Sequence, residues 1–156
     1  MADRDLHEPV LPGTAATDYE RYLRTDELLS LQKAAADVVH RDEHLFQAVH
    51  QSSELWLKLA CLELEAATAL IHEGRTTMAT RLVRRACDAM LHITNQLGML
   101  EHMSPCDYAV VRTALGHGAG FDSPGFRRVH RISPLVGAAF DGLLEARGLA
   151  LIDVYE

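Results

Sequence analysis

One long stretch limits the folds open to this chain: residues 42 to about 72 carry a helical pattern that is apolar on nearly every side. The pattern lacks the strict alternation that a half-buried strand requires. A helix that is hydrophobic all round is expected to be buried between other helices. Glu73 and Gly74 follow it, and glycine readily adopts the left-handed backbone that ends a helix. We therefore predict a long central helix that ends near His72.

The rest of the chain also favours helices, which indicates an all-α bundle. Thr25 can cap a helix to about Val39, and a further helix is expected from Thr76 or Thr77 to about Leu100. Three Ser-Pro pairs each combine a capping hydroxyl with a proline, which lacks the amide left unpaired in a first turn. They predict short helices at about 105–115, 124–131 and 134–147. The one candidate strand is the tail at 149–152.

The expected domain organisation is an extended N-terminal arm at 1–17, followed by a single all-α domain at 18–156. The arm contains Pro9, Pro12 and Gly13. At 156 residues the chain is long enough for one hydrophobic core. The glycine-rich segment 116–120 is expected to form a flexible loop that can bring backbone close to a ligand.

Composition limits which binding partners and which cellular compartment are expected for the chain. The net charge of −7 argues against nucleic acid and against anionic membrane surfaces. No apolar run approaches the roughly 20 residues that a membrane span needs, and the first eight residues lack the pattern of a secretion signal. Cys61, Cys87 and Cys106 show no paired spacing, which favours a reducing, cytoplasmic compartment.

A stripe of chemically active side chains lies near the start of the long helix. Phe46, His50 and Glu54 are spaced four residues apart, so they share one helix face. A phenyl ring, an imidazole and a carboxylate in a row suggest the wall of a pocket. From the residues alone, a buried histidine satisfied by its neighbours accounts for the stripe equally well.

A second pair of interest is Tyr108 and Arg112, again four residues apart on one helix face. Arginine is well suited to bind a carboxylate, because its guanidinium can donate two parallel charge-assisted hydrogen bonds. Without further context, an exposed arginine beside a tyrosine that packs on its neighbours is the more frequent arrangement.

The segment 42–58 resembles a helix of the tryptophan 2,3-dioxygenases, which reads roughly H-D-E-x-L-F-x-x-x-H-Q-x-x-E-L-W-x-K. Arg41 stands where that family has the first histidine. The matching positions in this chain are Asp42, Glu43, Leu45, Phe46, His50, Gln51, Glu54, Leu55, Trp56 and Lys58. The stretch from Tyr108 to Ser123 is similar to the family's Y/F-x-x-F-R and L-G-x-x-S-G-F-Q-S motifs.

The resemblance implies a fold like the N-terminal half of these enzymes. It also implies heme-dependent oxygenation of tryptophan, or of a related indole or aromatic amino acid, with dioxygen as the second substrate. His50 would be the catalytic residue, which hydrogen-bonds the indole N–H or the bound oxygen. Phe46 would stack on the ring, Tyr108 and Ala119 would line the pocket, and Arg112 would bind the substrate carboxylate.

A match near the front implies an oligomer. The stretch from Tyr19 to Leu23 is similar to the family's Y-x-x-Y-L, which reaches into a neighbouring subunit's active site. The resemblance therefore implies an intertwined homo-oligomer, a dimer or tetramer, in which Tyr19 and Leu23 close another subunit's pocket.

The departures from the family concern heme. Family chains are longer, and their heme-ligating histidine lies in a second half for which this sequence has no counterpart. Ala119 and Asp122 stand where the family has serine and glutamine. If another histidine binds the iron, His130 is the first candidate and His117 the second.

Two alternatives to an iron ligand within this chain stay open. A second polypeptide can complete the site, or the chain has lost heme and is an aromatic amino-acid-binding module or partner subunit. The shortened chain and the two substitutions favour a specialised role, as in secondary metabolism.

Overall fold

The computed structural model describes residues 8–154, so the first seven residues of the predicted arm lie outside the description. The backbone forms two compact units, the first ending at Val38 and the second beginning at Val39. Between residues 8 and 154 there are six α-helices and no strand, which confirms the all-α prediction.

The first unit contains two short helices, α1 (Asp18–Leu23) and α2 (Thr25–Leu29). Thr17 caps α1, and the Glu20 side chain accepts a hydrogen bond from the Thr17 amide, which completes a capping box. The prediction that α2 extends to Val39 is wrong. Leu29 and Leu31 are 71% and 67% exposed, and a short helix that buries little apolar surface is unstable.

The second unit is built around α3 (Glu43–His72), which confirms the predicted central helix. Gly74, two residues after the end of α3, stops the helix, since its φ of +72° lies in the left-handed region. There the Gly74 amide donates to the Ile71 carbonyl and the Arg75 amide donates to the Leu70 carbonyl.

Two further long helices, α4 (Thr76–Leu97) and α6 (Pro124–Ala146), pack on α3. One cluster is formed by alanines that bring α3 and α4 close together, namely Ala60, Ala86 and Ala89. A second cluster joins all three helices through Ala67, Ile71, Ala79 and Ala139. Because the contact residues are small, the helix backbones approach closely and leave little space between them.

Helix α4 ends at Leu97, three residues before the predicted end, and continues as a 3₁₀ helix (Gly98–His102). Glycine is a poor former of α-helix, which is consistent with this change at Gly98. The tail also differs from expectation, since residues 151–154 form a 3₁₀ helix rather than a strand.

Two of the three Ser-Pro pairs begin helices as predicted. Ser104 accepts a hydrogen bond from the Asp107 amide at the start of α5 (Pro105–Ala114), and Ser123 does the same for Phe126 in α6. The prediction of separate helices at 124–131 and 134–147 is wrong, because Pro134 lies inside the continuous α6. Burial of Ile132, Ala139 and Leu144 along α6 offsets the backbone hydrogen bond that proline cannot make.

Among residues 8–154, no helix is long and apolar enough to cross a membrane.

Candidate functional site

A cavity of about 810 Å³ lies within the second unit. Its walls come from the first turns of α3, the end of α4, helix α5, the glycine-rich loop and the first turn of α6. Most of the lining is apolar, and the polar groups include His50, Glu54 and Arg112. A largely apolar cavity of this size with a few polar side chains is typical of small-molecule sites.

Helix α3 places two aromatic rings in the wall of the cavity, as its four-residue spacing predicts. The rings of Phe46 and His50 stack with centroids 4.0 Å apart and an interplanar angle of 25°. His50 Nδ1 lies 2.8 Å from the Phe46 carbonyl oxygen. A carbonyl oxygen only accepts hydrogen bonds, so Nδ1 carries the proton, and Nε2 of the neutral ring is left as an acceptor.

Helix α5 places Tyr108 and Arg112 in the same cavity. The Tyr108 ring is tilted against Phe46 with centroids 6.4 Å apart, so the two helices form one aromatic wall. Arg112 Nη1 donates to the Gly116 carbonyl at 2.8 Å. This bond uses one of the five guanidinium N–H groups, and a carboxylate needs only two of the others.

The glycine-rich loop closes the cavity from another side. Gly118, Ala119 and Gly120 line it, and the Asp122 carboxylate accepts a hydrogen bond from the Ala119 amide at 2.8 Å. At position 119 the side chain offered to the cavity is therefore only a methyl group. The hydrogen bond to the Asp122 side chain fixes the backbone of Ala119.

Several lining residues were not indicated by the sequence. Leu97 comes from the end of α4 and Leu100 from the 3₁₀ helix that follows it. Phe121 and Phe126 flank the start of α6. Phe121 lies in the stretch that resembles the family motif and Phe126 follows it, but the spacing of the residues carried no signal that the two rings face the same space as α3. Such a signal would require knowledge of how the helices pack.

A half-buried polar network lies between α3 and α4. Gln96 donates to the Ser53 hydroxyl at 2.7 Å, and Ser52 donates to the Gln96 side-chain oxygen at 2.8 Å. Ser53 is buried and lines the cavity. The network therefore fixes the side of α3 that faces α4, next to the stacked rings.

Tyr19 and Leu23 belong to α1 in the first unit. Their side chains are exposed, Tyr19 at 69% and Leu23 at 45%. That these two residues close the pocket of a neighbouring subunit stays a prediction.

The two histidines predicted as metal ligands, His117 and His130, are both exposed and do not line the cavity. His50 is the one histidine among the described lining residues. No group of three or more His, Cys, Asp or Glu side chains within residues 8–154 is arranged to bind a metal ion. The described residues therefore place no second imidazole in the cavity beside His50.

Comparisons with known proteins match one family over most of the chain. The family model described as tryptophan 2,3-dioxygenase matches residues 6–134. The tryptophan 2,3-dioxygenase of Xanthomonas oryzae pv. oryzae (strain PXO99A) is 37% identical over 111 residues, which cover 71% of this chain and 37% of that protein. The tryptophan 2,3-dioxygenase of Serratia proteamaculans (strain 568) is 34% identical over 130 residues, which cover 83% of this chain and 46% of that protein.

This chain spans less than half the length of the relatives it matches. The matched region includes α3 and α5, which carry the aromatic wall and Arg112 of the cavity. From the extent of the match and the identity to these relatives, the chain belongs to the tryptophan 2,3-dioxygenase family.

Proposed function

We propose that this chain forms the amino-acid-binding part of a heme-dependent site that oxidises tryptophan or a related aromatic amino acid with dioxygen. The single observation that carries the proposal is the cavity in which the stacked Phe46 and His50 lie in one wall and Arg112 in another. An aromatic amino acid presents a ring and a carboxylate, which are the groups that these side chains recognise.

His50 has the proton arrangement that an indole requires. Since Nδ1–H donates to the Phe46 carbonyl, Nε2 of the neutral imidazole can accept a hydrogen bond from an indole N–H. The Phe46 ring offers an apolar face beside it. Arg112 would bind the carboxylate and so fix the orientation of the ring, which lowers the entropic cost of reaction.

Heme would supply the oxygen chemistry, and its iron ligand would come from outside residues 8–154. The support for this part of the proposal is family membership together with the positions of His117 and His130, which do not line the cavity. The ligand would belong either to further sequence or to a second polypeptide.

The test of the heme requirement is the absorption spectrum of the protein purified from its native source, before and after addition of hemin and of L-tryptophan. We expect a Soret band that shifts with L-tryptophan and is unchanged in His117→Ala and His130→Ala variants. Loss of the band in either variant would assign the iron ligand to that histidine. A protein that takes up no stoichiometric heme but binds L-tryptophan would instead be a heme-free binding module.

We further propose that the chain acts as a homo-oligomer in which Tyr19 and Leu23 cover a neighbour's site. Two exposed apolar side chains on one short helix support this arrangement. Sedimentation analysis should show a dimer or tetramer, and Tyr19→Ser with Leu23→Ser should weaken L-tryptophan binding. A monomer with full affinity would contradict it.

A further inference from the structure

Glu54 is the one acidic side chain among the described residues that line the cavity. Its carboxylate is bound by the start of α6. Oε1 accepts a hydrogen bond from the Ser123 hydroxyl, and Oε2 accepts one from the Gly125 amide at 3.1 Å. Ser123 and Gly125 are 69 and 71 residues away in sequence, so these bonds join two distant parts of the fold.

The backbone of α6 approaches α3 very closely at this point. A Cβ atom added to Gly125 would lie 2.6 Å from Glu54 Oε2 and 2.7 Å from Leu57 Cβ. Position 125 therefore has no room for a side chain while the Glu54 carboxylate and Leu57 are in place. The glycine and the glutamate are complementary, because the missing Cβ leaves the space in which the carboxylate reaches the amide.

Glu54 also completes the cap of α6. The Ser123 oxygen accepts a hydrogen bond from the Phe126 amide at 3.0 Å while its hydroxyl donates to Glu54. A negative charge at a helix N-terminus is favourable, because the unpaired amides and the helix dipole carry positive charge there. The carboxylate thus stabilises one defined position for the first turn of α6.

That first turn and the loop before it form a wall of the cavity through Ala119, Phe121 and Phe126. Glu54 lies on α3 one turn beyond His50, so its bonds join this wall to the helix that carries the stacked rings. We propose that Glu54 is a positioning residue for the amino-acid site: by binding Ser123 and Gly125, it fixes the wall formed by the 118–126 segment relative to His50. This inference rests on the proposed amino-acid site for its functional consequence.

The first test is Glu54→Gln, which keeps the side-chain shape but removes the charge and one acceptor oxygen. We expect amide hydrogen exchange to rise about tenfold or more within residues 118–126, with L-tryptophan affinity weakened about tenfold. Glu65→Gln is the matched control. Glu65 also joins α3 to α6, through an exposed ion pair with Arg128 at 2.8 Å, and an exposed pair contributes little.

The second test is Gly125→Ala, which leaves the carboxylate intact but forces the start of α6 away from Glu54 and Leu57 on α3. We expect the same two effects as in Glu54→Gln. Gly137→Ala is the control on the same helix, because a Cβ there meets no atom within 4 Å. That control should keep wild-type exchange in the 118–126 segment and wild-type affinity.

The outcomes separate this inference from the proposed function. Wild-type exchange and wild-type affinity in Glu54→Gln would overturn the positioning role, as would exchange that rises equally across the whole chain. If Glu54→Gln does not fold, Gly125→Ala and its control decide the question. If the unmodified protein binds no aromatic amino acid, the proposed function fails, while the exchange measurement still judges whether Glu54 fixes the segment.

Discussion

The position of one proton on His50 decides what this side chain can recognise. The Phe46 carbonyl at 2.8 Å requires Nδ1 to be the donor, so the neutral ring can accept at Nε2 but cannot donate there. The sequence spacing predicted that Phe46 and His50 share a face. It could not predict the tautomer, because that depends on a backbone oxygen whose position is set only once the helix has formed.

The acceptor role of His50 predicts discrimination between L-tryptophan and 1-methyl-L-tryptophan, which lacks the indole N–H. The wild-type protein should bind L-tryptophan about five- to tenfold more tightly, the effect of one hydrogen bond. His50→Ala should bind the two ligands with equal affinity, as measured by calorimetry. If the variant still prefers L-tryptophan, the preference is steric and His50 does not accept the indole proton.

Cys61 provides a test of burial that is independent of function. Its side chain is fully buried, and burial raises the pKa of the Cys61 thiol. Cys87 and Cys106 are exposed. A thiol reagent near pH 8 should therefore react quickly with two cysteines and with Cys61 only after the protein is unfolded in urea. Rapid reaction of three thiols in the folded protein would contradict the packing of α3 on α6.

The raised pKa of the Cys61 thiol also makes the stability of the protein depend on pH. Because the thiol pKa is higher in the folded than in the unfolded state, the unfolded chain loses this proton first as pH rises. The contribution of Cys61 to stability is thus fully present at neutral pH and falls as pH rises above the ordinary thiol range. Cys61→Ala should show a weaker loss of stability in that range.

At the scale of whole elements, local sequence signals were sufficient to predict a helix end where neighbouring residues determine it. At the Gly74 stop and the Ser104 and Ser123 caps, the backbone groups that are paired lie within a few residues of the capping residue. The third Ser-Pro pair has the same local signature but lies within α6. There the burial of α6 against α3 outweighs the local preference, and no local pattern reports that packing.

The cost of Pro134 inside the continuous α6 can be measured. Pro134→Ala restores an amide within α6, so the free energy of unfolding should rise by about 1–3 kcal/mol in urea titrations. Pro124→Ala is the matched control, since Pro124 lies in the first turn, where its missing amide has no helical partner. It should give no gain. Equal stability of Pro134→Ala and the wild type would mean that α6 accommodates the proline without cost.

At the scale of the molecule, the cavity combines segments that are distant in sequence. Phe46, His50, Tyr108 and Arg112 were indicated by spacing and by resemblance, and all four line one cavity. In the wall that faces them, Ala119 was implied by the resemblance, whereas no pocket role was predicted for Phe121 and Phe126. The position of this wall depends on contacts such as Glu54 with Gly125, 71 residues apart, and a single sequence carries no signal for pairings at that separation.

The chain and its relatives share only part of their length. Less than half of each relative is matched, and the matched part contains the groups suited to an amino acid. The described residues place no second imidazole in the cavity for iron. We therefore propose amino-acid recognition for this chain and an iron ligand from sequence outside residues 8–154.

The most direct test of that claim is calorimetric titration with L-tryptophan and with L-tryptophanamide, which lacks the carboxylate. The wild-type protein should bind L-tryptophan about 10- to 100-fold more tightly than the amide, because the carboxylate receives charge-assisted hydrogen bonds. Arg112→Ala should lose that difference, whereas Arg84→Ala, which alters an exposed arginine on α4, should retain it. Equal affinity of the wild-type protein for the two ligands, or full discrimination by Arg112→Ala, would contradict the assignment of this cavity to an amino acid.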